Sequence, residues 1–147
     1  MTKKPDETTE PKTLLEALLN VQRDSPIIKK SANNPFFKSK YADLPAVWSS
    51  VRELMAKNNL LVTHTTKSAN DHEILVTSIH FVKTSEKIEC ENRLYIQKAT
   101  AQEYGSAVTY MRRYALSSML GLVTEDDDDG NDATQNAKKQ PEKSEGK

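Results

Sequence analysis

Ser106, Thr109, Tyr110, Arg113 and Ser117 fall on one side of a stretch with helical spacing, while Tyr104, Val108, Met111, Ala115 and Met119 fall on the other. Hydroxyls, a phenol and a guanidinium are the groups that contact phosphate and stack on bases. Within a dozen residues the chain turns acidic, with Glu125, four aspartates at Asp126–Asp129, then Gly130, Asn131 and Asp132. A basic, hydroxyl-lined helix beside a polyanionic segment points to a nucleic-acid site with an internal competitor. The adjacent Arg112 and Arg113 project about 100° apart on a helix. Arg113 lies on the polar face. Arg112 is nearer the apolar side and equally suits an ion pair with Glu103 or a strand carboxylate.

A second basic constellation precedes it. Lys29, Lys30, Lys38, Lys40 and Tyr41 lie in or next to one irregular segment that also holds Phe36 and Phe37. Single-strand binding needs this mixture, because cations track the backbone and rings accept unstacked bases. The plainer reading is that the aromatics pin a loop to the core while the lysines solvate it. Tyr110 and Tyr114 carry the same ambiguity, since both also suit a core. Gly105 and the neighbouring hydroxyls would equally serve close packing of the helix on a sheet.

The acidic run invites a metal reading. Aligned to a calcium-binding helix-loop-helix pattern, Glu125, Asp127, Asp129 and Gly130 take positions one, three, five and six, and Asn136 then stands where a bidentate Glu is required. That strong form fails, leaving a weak hydrated Mg²⁺ or Ca²⁺ site, a nuclease-like carboxylate pair, or a solvated charge run. The nucleotide-binding glycine motifs Gly-x-x-x-x-Gly-Lys-Ser/Thr and Gly-x-Gly-x-x-Gly do not occur. His64, His72 and His80 lack partners at zinc spacing and read as sheet residues. Cys90 has no nearby His to activate it. No enzyme activity, cofactor or metal is expected.

The elements that must position these residues follow from periodicity. Thr13-Leu14-Leu15-Glu16 has capping-box spacing and opens a short amphipathic helix to about Arg23, which Pro26 ends. Asp43 caps a second helix with Pro45 in its first turn; Leu44, Val47, Trp48, Val51, Leu54 and Met55 form its apolar stripe, and Asn58-Asn59 end it. The period then drops to two over Leu60–Lys67, His72–Lys83 and the segment of Ile88, Cys90, Leu94 and Ile96, with turns at Ser68–Asp71 and Thr84-Ser85. A long helix follows from about Thr100 to Leu120. The expected fold class is α+β: a three-stranded antiparallel meander packed with helices in the order α-α-β-β-β-α. Residues 1–12 read as a disordered tail, 13–123 as one core domain and 124–147 as an acidic linker and disordered tail.

Charge agrees with that partition. From Ile27 to Val123 there are 13 Lys and Arg against 8 Asp and Glu, net +5, whereas residues 124–147 have 4 against 8, net −4. A basic middle and an acidic end favour a polyanionic partner. A single cysteine permits no internal disulfide and fits a reducing compartment. No apolar run approaches the roughly 18–20 residues of a membrane span, and the first residues lack a signal peptide's apolar stretch. A cytoplasmic protein with no membrane partner is expected.

With those residues in view, the chain resembles the Erf (essential recombination function) family of phage single-strand annealing proteins. Two blocks carry the resemblance: Asn34-Pro35-Phe36-Phe37-Lys38-Ser39-Lys40-Tyr41-Ala42-Asp43-Leu44 with the Trp-bearing helix after it, and Tyr104–Leu116 with Gly121-Leu122 and Asp128–Asn131. The resemblance implies ATP-independent binding of single-stranded DNA and pairing of complementary strands in the host cytoplasm. It also implies assembly into a ring or filament, and a β-β-β-α core like that of eukaryotic annealing mediators. A host or phage recombination or replication protein is a further expected partner. The DNA-contacting set expected is Lys29, Lys30, Lys38, Lys40, Tyr41, Ser106, Thr109, Tyr110, Arg112 and Arg113. Two rival readings are a metal-dependent nuclease using Asp126–Asp129 and a protein-interaction adapter offering the helix Leu44–Lys57.

Overall fold

A computed structural model describes residues 10–30, 32–33 and 40–125. Three helices, α1 (Leu14–Asp24), α2 (Leu44–Lys57) and α3 (Ala101–Leu120), pack on one face of a meander of β3 (Leu60–Ala69), β4 (His72–Phe81) and β5 (Lys87–Arg93). Two further strands of two residues each, β1 (Ala32–Asn33) and β2 (Lys40–Tyr41), pair antiparallel between α1 and α2. The irregular segment expected there thus contains a small ladder. The rest is the α+β order α-α-β-β-β-α that periodicity predicts.

Helix starts are set by side chains that satisfy orphan N–H groups. Thr13 Oγ1 accepts from Glu16 N at 3.2 Å, Asp43 from Ala46 N at 3.0 Å and Thr100 Oγ1 from Glu103 N at 3.2 Å. The reciprocal half of the first capping box is displaced by one residue, since Glu16 accepts from Lys12 N rather than Thr13 N. At the far end of α3, Gly121 takes φ +65 and Leu122 N donates to Ser117 O at 2.9 Å, the left-handed closure that glycine permits.

The sheet is ordered β3-β4-β5, with Leu60 opposite Phe81, His64 opposite Thr77 and Thr77 opposite Cys90. Its covered face supplies Leu60, Ile79 and Phe81 to a core completed by Leu14, Ala17, Leu18 and Val21 of α1, Val47, Val51 and Met55 of α2, and Leu116 and Leu120 of α3. Each such side chain larger than alanine, removed from water, contributes roughly 1.5–3 kcal/mol. Trp48 sits at the margin of the α2 stripe and is exposed rather than buried. The other sheet face is a polar ladder, in which Thr63 bonds His80, Ser78 donates to Glu89 and Lys67 pairs with Glu91. His72 and His80 therefore lie where sheet residues should, and His72 is bonded to Asp71.

The chain after α3 returns to the start of the basic segment. Ile28 and Thr124 form a parallel bridge, with Ile28 N donating to Val123 O at 3.0 Å and Glu125 N to Ile28 O at 3.0 Å. Among the described residues no helix is long and apolar enough to cross a membrane.

Candidate nucleic-acid interface

Helix α3 has two unlike halves. Ala115, Leu116 and Leu120 are buried against the other helices and the sheet, whereas no α3 side chain before Ala115 is. The core-facing line is thus Ala115, Leu116 and Leu120, with Tyr104, Val108, Met111 and Met119 only half-buried beside it. Leucines that the expected stripe left out set the helix's orientation. At about 100° per residue, Gly105, Thr109 and Arg112 lie within about 60° of Leu116 on the helical wheel. The inward line therefore continues toward the N-terminus after the core has ended.

Gly105 shows that this continuation is open. A Cβ placed there would meet nothing within 4 Å. The close-packing reading of Gly105 is therefore wrong: the glycine is exposed, and the fold gains no tight contact from it. Ser106 and Thr109 are exposed too, so their hydroxyls are free to face a ligand rather than the sheet.

Tyr110 and Tyr114 are surface residues, 57% and 55% exposed, which removes the core reading. Their rings are stacked with centroids 6.4 Å apart and planes 14° from parallel. The Arg113 guanidinium carbon lies 5.4 Å from the Tyr110 centroid. Arg113 also donates an N–H to the carbonyl of buried Ala42 at 3.3 Å. One side chain thereby ties the aromatic pair of α3 to the residue that follows β2. This brings the backbone of Lys40 and Tyr41 to the same part of the surface; the side chains of Lys40 and Tyr41 lie outside the described set.

Arg112 points the other way. Its Nε is buried without a hydrogen-bond partner among the described residues, and neither Glu103 nor a strand carboxylate pairs with it. The ion pair envisaged for it does not form. Its charge instead acts on His64, half-buried on the covered face of β3, whose Nδ1 lies 2.9 Å from Thr77 Oγ1. Burial first, and the Arg112 charge second, hold the His64 imidazole below its ordinary pKa. His64 is a residue that sequence reasoning assigned only to the sheet. Its period-two alignment with Leu60 and Val62 was the available signal that it faces inward.

Lys29 is exposed and Lys30 half-buried, beside the bridge between Ile28 and Thr124. Lys30 N donates to Glu125 Oε2 at 2.9 Å, so the first carboxylate of the acidic run touches the basic segment. Phe36, Phe37, Lys38 and Asp126–Asp129 lie outside the described residues, as does Asn136. A further cation–aromatic pair, Arg93 over Tyr95 at 5.4 Å, lies beside an open cleft formed by the β3–β4 turn and the start of α3. Cys90 is half-buried, its Sγ 3.3 Å from Met119 Sδ. Among the described residues no group of three or more His, Cys, Asp or Glu is placed to hold a metal ion.

A search of curated proteins and a search of solved structures each found no match. A family model described as ERF superfamily matches residues 14–147. That match takes in every element from α1 to α3, and the chain therefore belongs to the ERF superfamily, a family known for single-strand annealing in recombination.

Proposed function

We propose that this protein binds single-stranded DNA without ATP and pairs complementary strands, acting as an oligomer. The observation that carries the reading is the exposed Tyr110–Tyr114 stack with the Arg113 guanidinium over one ring. Both rings are more than half exposed and so offer a face to a base, and stacking a base on such a ring contributes about 1–3 kcal/mol. Annealing requires phosphate repulsion to be screened and bases to be held free of self-structure. Lys29, Lys30, Lys38, Lys40 and Arg113 supply positive charge along the strand, Ser106 and Thr109 supply hydroxyls, and none of these contacts reads sequence. Tyr110 or Tyr41 holds a base. Oligomerisation lines up many shallow sites, so weak units reach useful avidity while each base stays open to a partner strand.

The acidic run then acts as a competitor. Glu125 already touches the backbone of Lys30, and four aspartates follow it directly. DNA displaces this internal polyanion, which weakens nonspecific binding. No cofactor or resident metal takes part, and the work is done in the cytoplasm.

The test is equilibrium binding of a labelled oligo(dT) strand followed by fluorescence anisotropy across a salt series. The expected result is binding that weakens steeply with salt and loses about 5- to 150-fold in Tyr110→Ala, the equivalent of about 1–3 kcal/mol. Wild-type binding that Tyr110→Ala leaves unchanged would remove the tyrosine stack from the site.

A further inference from the structure

A cleft of about 1070 Å³ opens where the β3–β4 turn, the chain after β5 and the first turn of α3 meet. Ligand sites commonly enclose about 300–1,000 Å³, so it has room for a nucleotide. Leu94 anchors the segment that lines it: its side chain is buried, and its N–H donates to the Glu73 carbonyl at 2.8 Å. Tyr95 follows directly and is 76% exposed, the most exposed large apolar side chain among the described residues. The Arg93 guanidinium carbon lies 5.4 Å from the Tyr95 centroid, and none of the ion pairs among the described residues includes Arg93. A guanidinium covers one side of a ring, and at this exposure the ring still offers a face to the cleft. The pair repeats, on a separate element, the arrangement of Arg113 over Tyr110, which is also 5.4 Å.

We propose that this cleft is a base-binding subsite, in which an unstacked base of the bound single strand stacks on Tyr95 while Arg93 holds the ring and meets the flanking phosphate. The inference rests on the DNA-binding reading above and adds a second, separate contact to it. Charge decides between base and backbone as the occupant. Asp71 and Glu73 against Arg93, with His72 neutral, leave the lining one negative charge, which disfavours a run of phosphates. A neutral base meets no such penalty. Stacking is also tolerant of sequence, because every base has a π-face.

The polar groups of the lining suit a base edge. Ser68 Oγ donates to Glu73 Oε1 at 2.5 Å, and His72 Nδ1 lies 2.7 Å from Asp71 Oδ1. Each carboxylate is thereby held in place, and a carboxylate keeps acceptor capacity after one such bond for the N–H donors of a base. The cleft is also continuous with the interface on α3. Tyr104 lines it from that helix, about 9 Å along the axis from Tyr110. Exposed Ser106 lies within about 40° of Tyr110 on the helical wheel, between the two. A strand that follows the exposed side of α3 from Tyr114 through Tyr110 and Ser106 arrives at the start of the helix, where the cleft opens.

The test measures binding of labelled oligo(dT), and of an abasic strand of the same length, to wild type, Tyr95→Ala and Tyr95→Phe across a salt series. Tyr95 is so exposed that neither substitution threatens the fold. The expected result is an oligo(dT) affinity about 5- to 150-fold weaker in Tyr95→Ala, with the salt slope of wild type, because a base contact and not a phosphate contact is lost. Tyr95→Phe keeps the ring and should bind like wild type. The abasic strand has no base to stack and should bind wild type and Tyr95→Ala alike. Oligo(dT) affinity unchanged in Tyr95→Ala, or an equal loss on the abasic strand, would overturn the subsite while strand binding itself stood. If wild type fails to bind oligo(dT) even in low salt, the DNA reading falls, and the subsite with it.

Discussion

Replacing Gly105 with alanine should stabilise the protein and weaken its grip on DNA. Glycine inside a helix costs about 0.8–1.0 kcal/mol relative to alanine, chiefly through the backbone entropy of the unfolded chain. A structural return would offset that cost if a neighbour approached the Cα closely, or if φ were positive. Neither holds at Gly105, where a Cβ meets nothing within 4 Å and φ is that of an ordinary helix. Gly105→Ala should therefore gain close to 1 kcal/mol. With an unfolding entropy of about 2.1 cal/mol/K per residue, a domain of this size should melt about 4 °C higher. The methyl group would project into the opening beside Thr109 and Arg112, where the strand must come near. Thermal denaturation by circular dichroism and oligo(dT) binding by anisotropy, on the same preparation, read the two effects separately. A lower melting temperature would refute the claim that the first half of α3 is open. A higher one with unchanged or tighter binding would refute the claim that the opening serves a close approach.

Other consequences follow from particular contacts. Arg113→Ala removes the cation over Tyr110 and leaves the buried Ala42 carbonyl without this donor, which should cost about 1–3 kcal/mol in denaturant melts; Arg113→Lys should recover only part of it. Gly121→Ala forces a Cβ into the left-handed region and against Gln22 Nε2, 2.7 Å away, and should destabilise by about 1–2 kcal/mol on chemical denaturation. Since the folded pKa of His64 lies below its unfolded value, its contribution to stability is present above about pH 6.5 and is lost as pH falls through the folded pKa. Melting temperature should decline over that window, and less so in His64→Gln. Changing Asp126–Asp129 together to Asn should tighten oligo(dT) binding at low salt; unchanged or weaker binding would remove the competitor role.

Local signals carried most of the architecture. Thr13, Asp43 and Thr100 cap helices because a side-chain oxygen needs only the next three residues to do so, and period-two runs need only alternation. The orientation of α3 was less legible. Tyrosine, valine and methionine at helical spacing look like a core stripe, yet the stripe is decided by what lies beneath, and the core ends at Ala115. Tyr110 and Tyr114 were ambiguous for the same reason, as a phenol ring serves a core or a wet surface equally. His64 was on a legible face, but Arg112, whose charge acts on it, is 48 residues away in sequence, and only the tertiary fold couples the two. The bridge from Ile28 to Thr124 joins segments that share no periodic pattern at all.

The central claim is tested most directly by mixing complementary labelled single strands with the protein, without ATP, at low and high salt, and timing duplex formation. The account expects wild type to accelerate pairing at low salt, the acceleration to fade at high salt, and Tyr110→Ala to pair more slowly than wild type. Pairing no faster than that of the bare strands at low salt would contradict it.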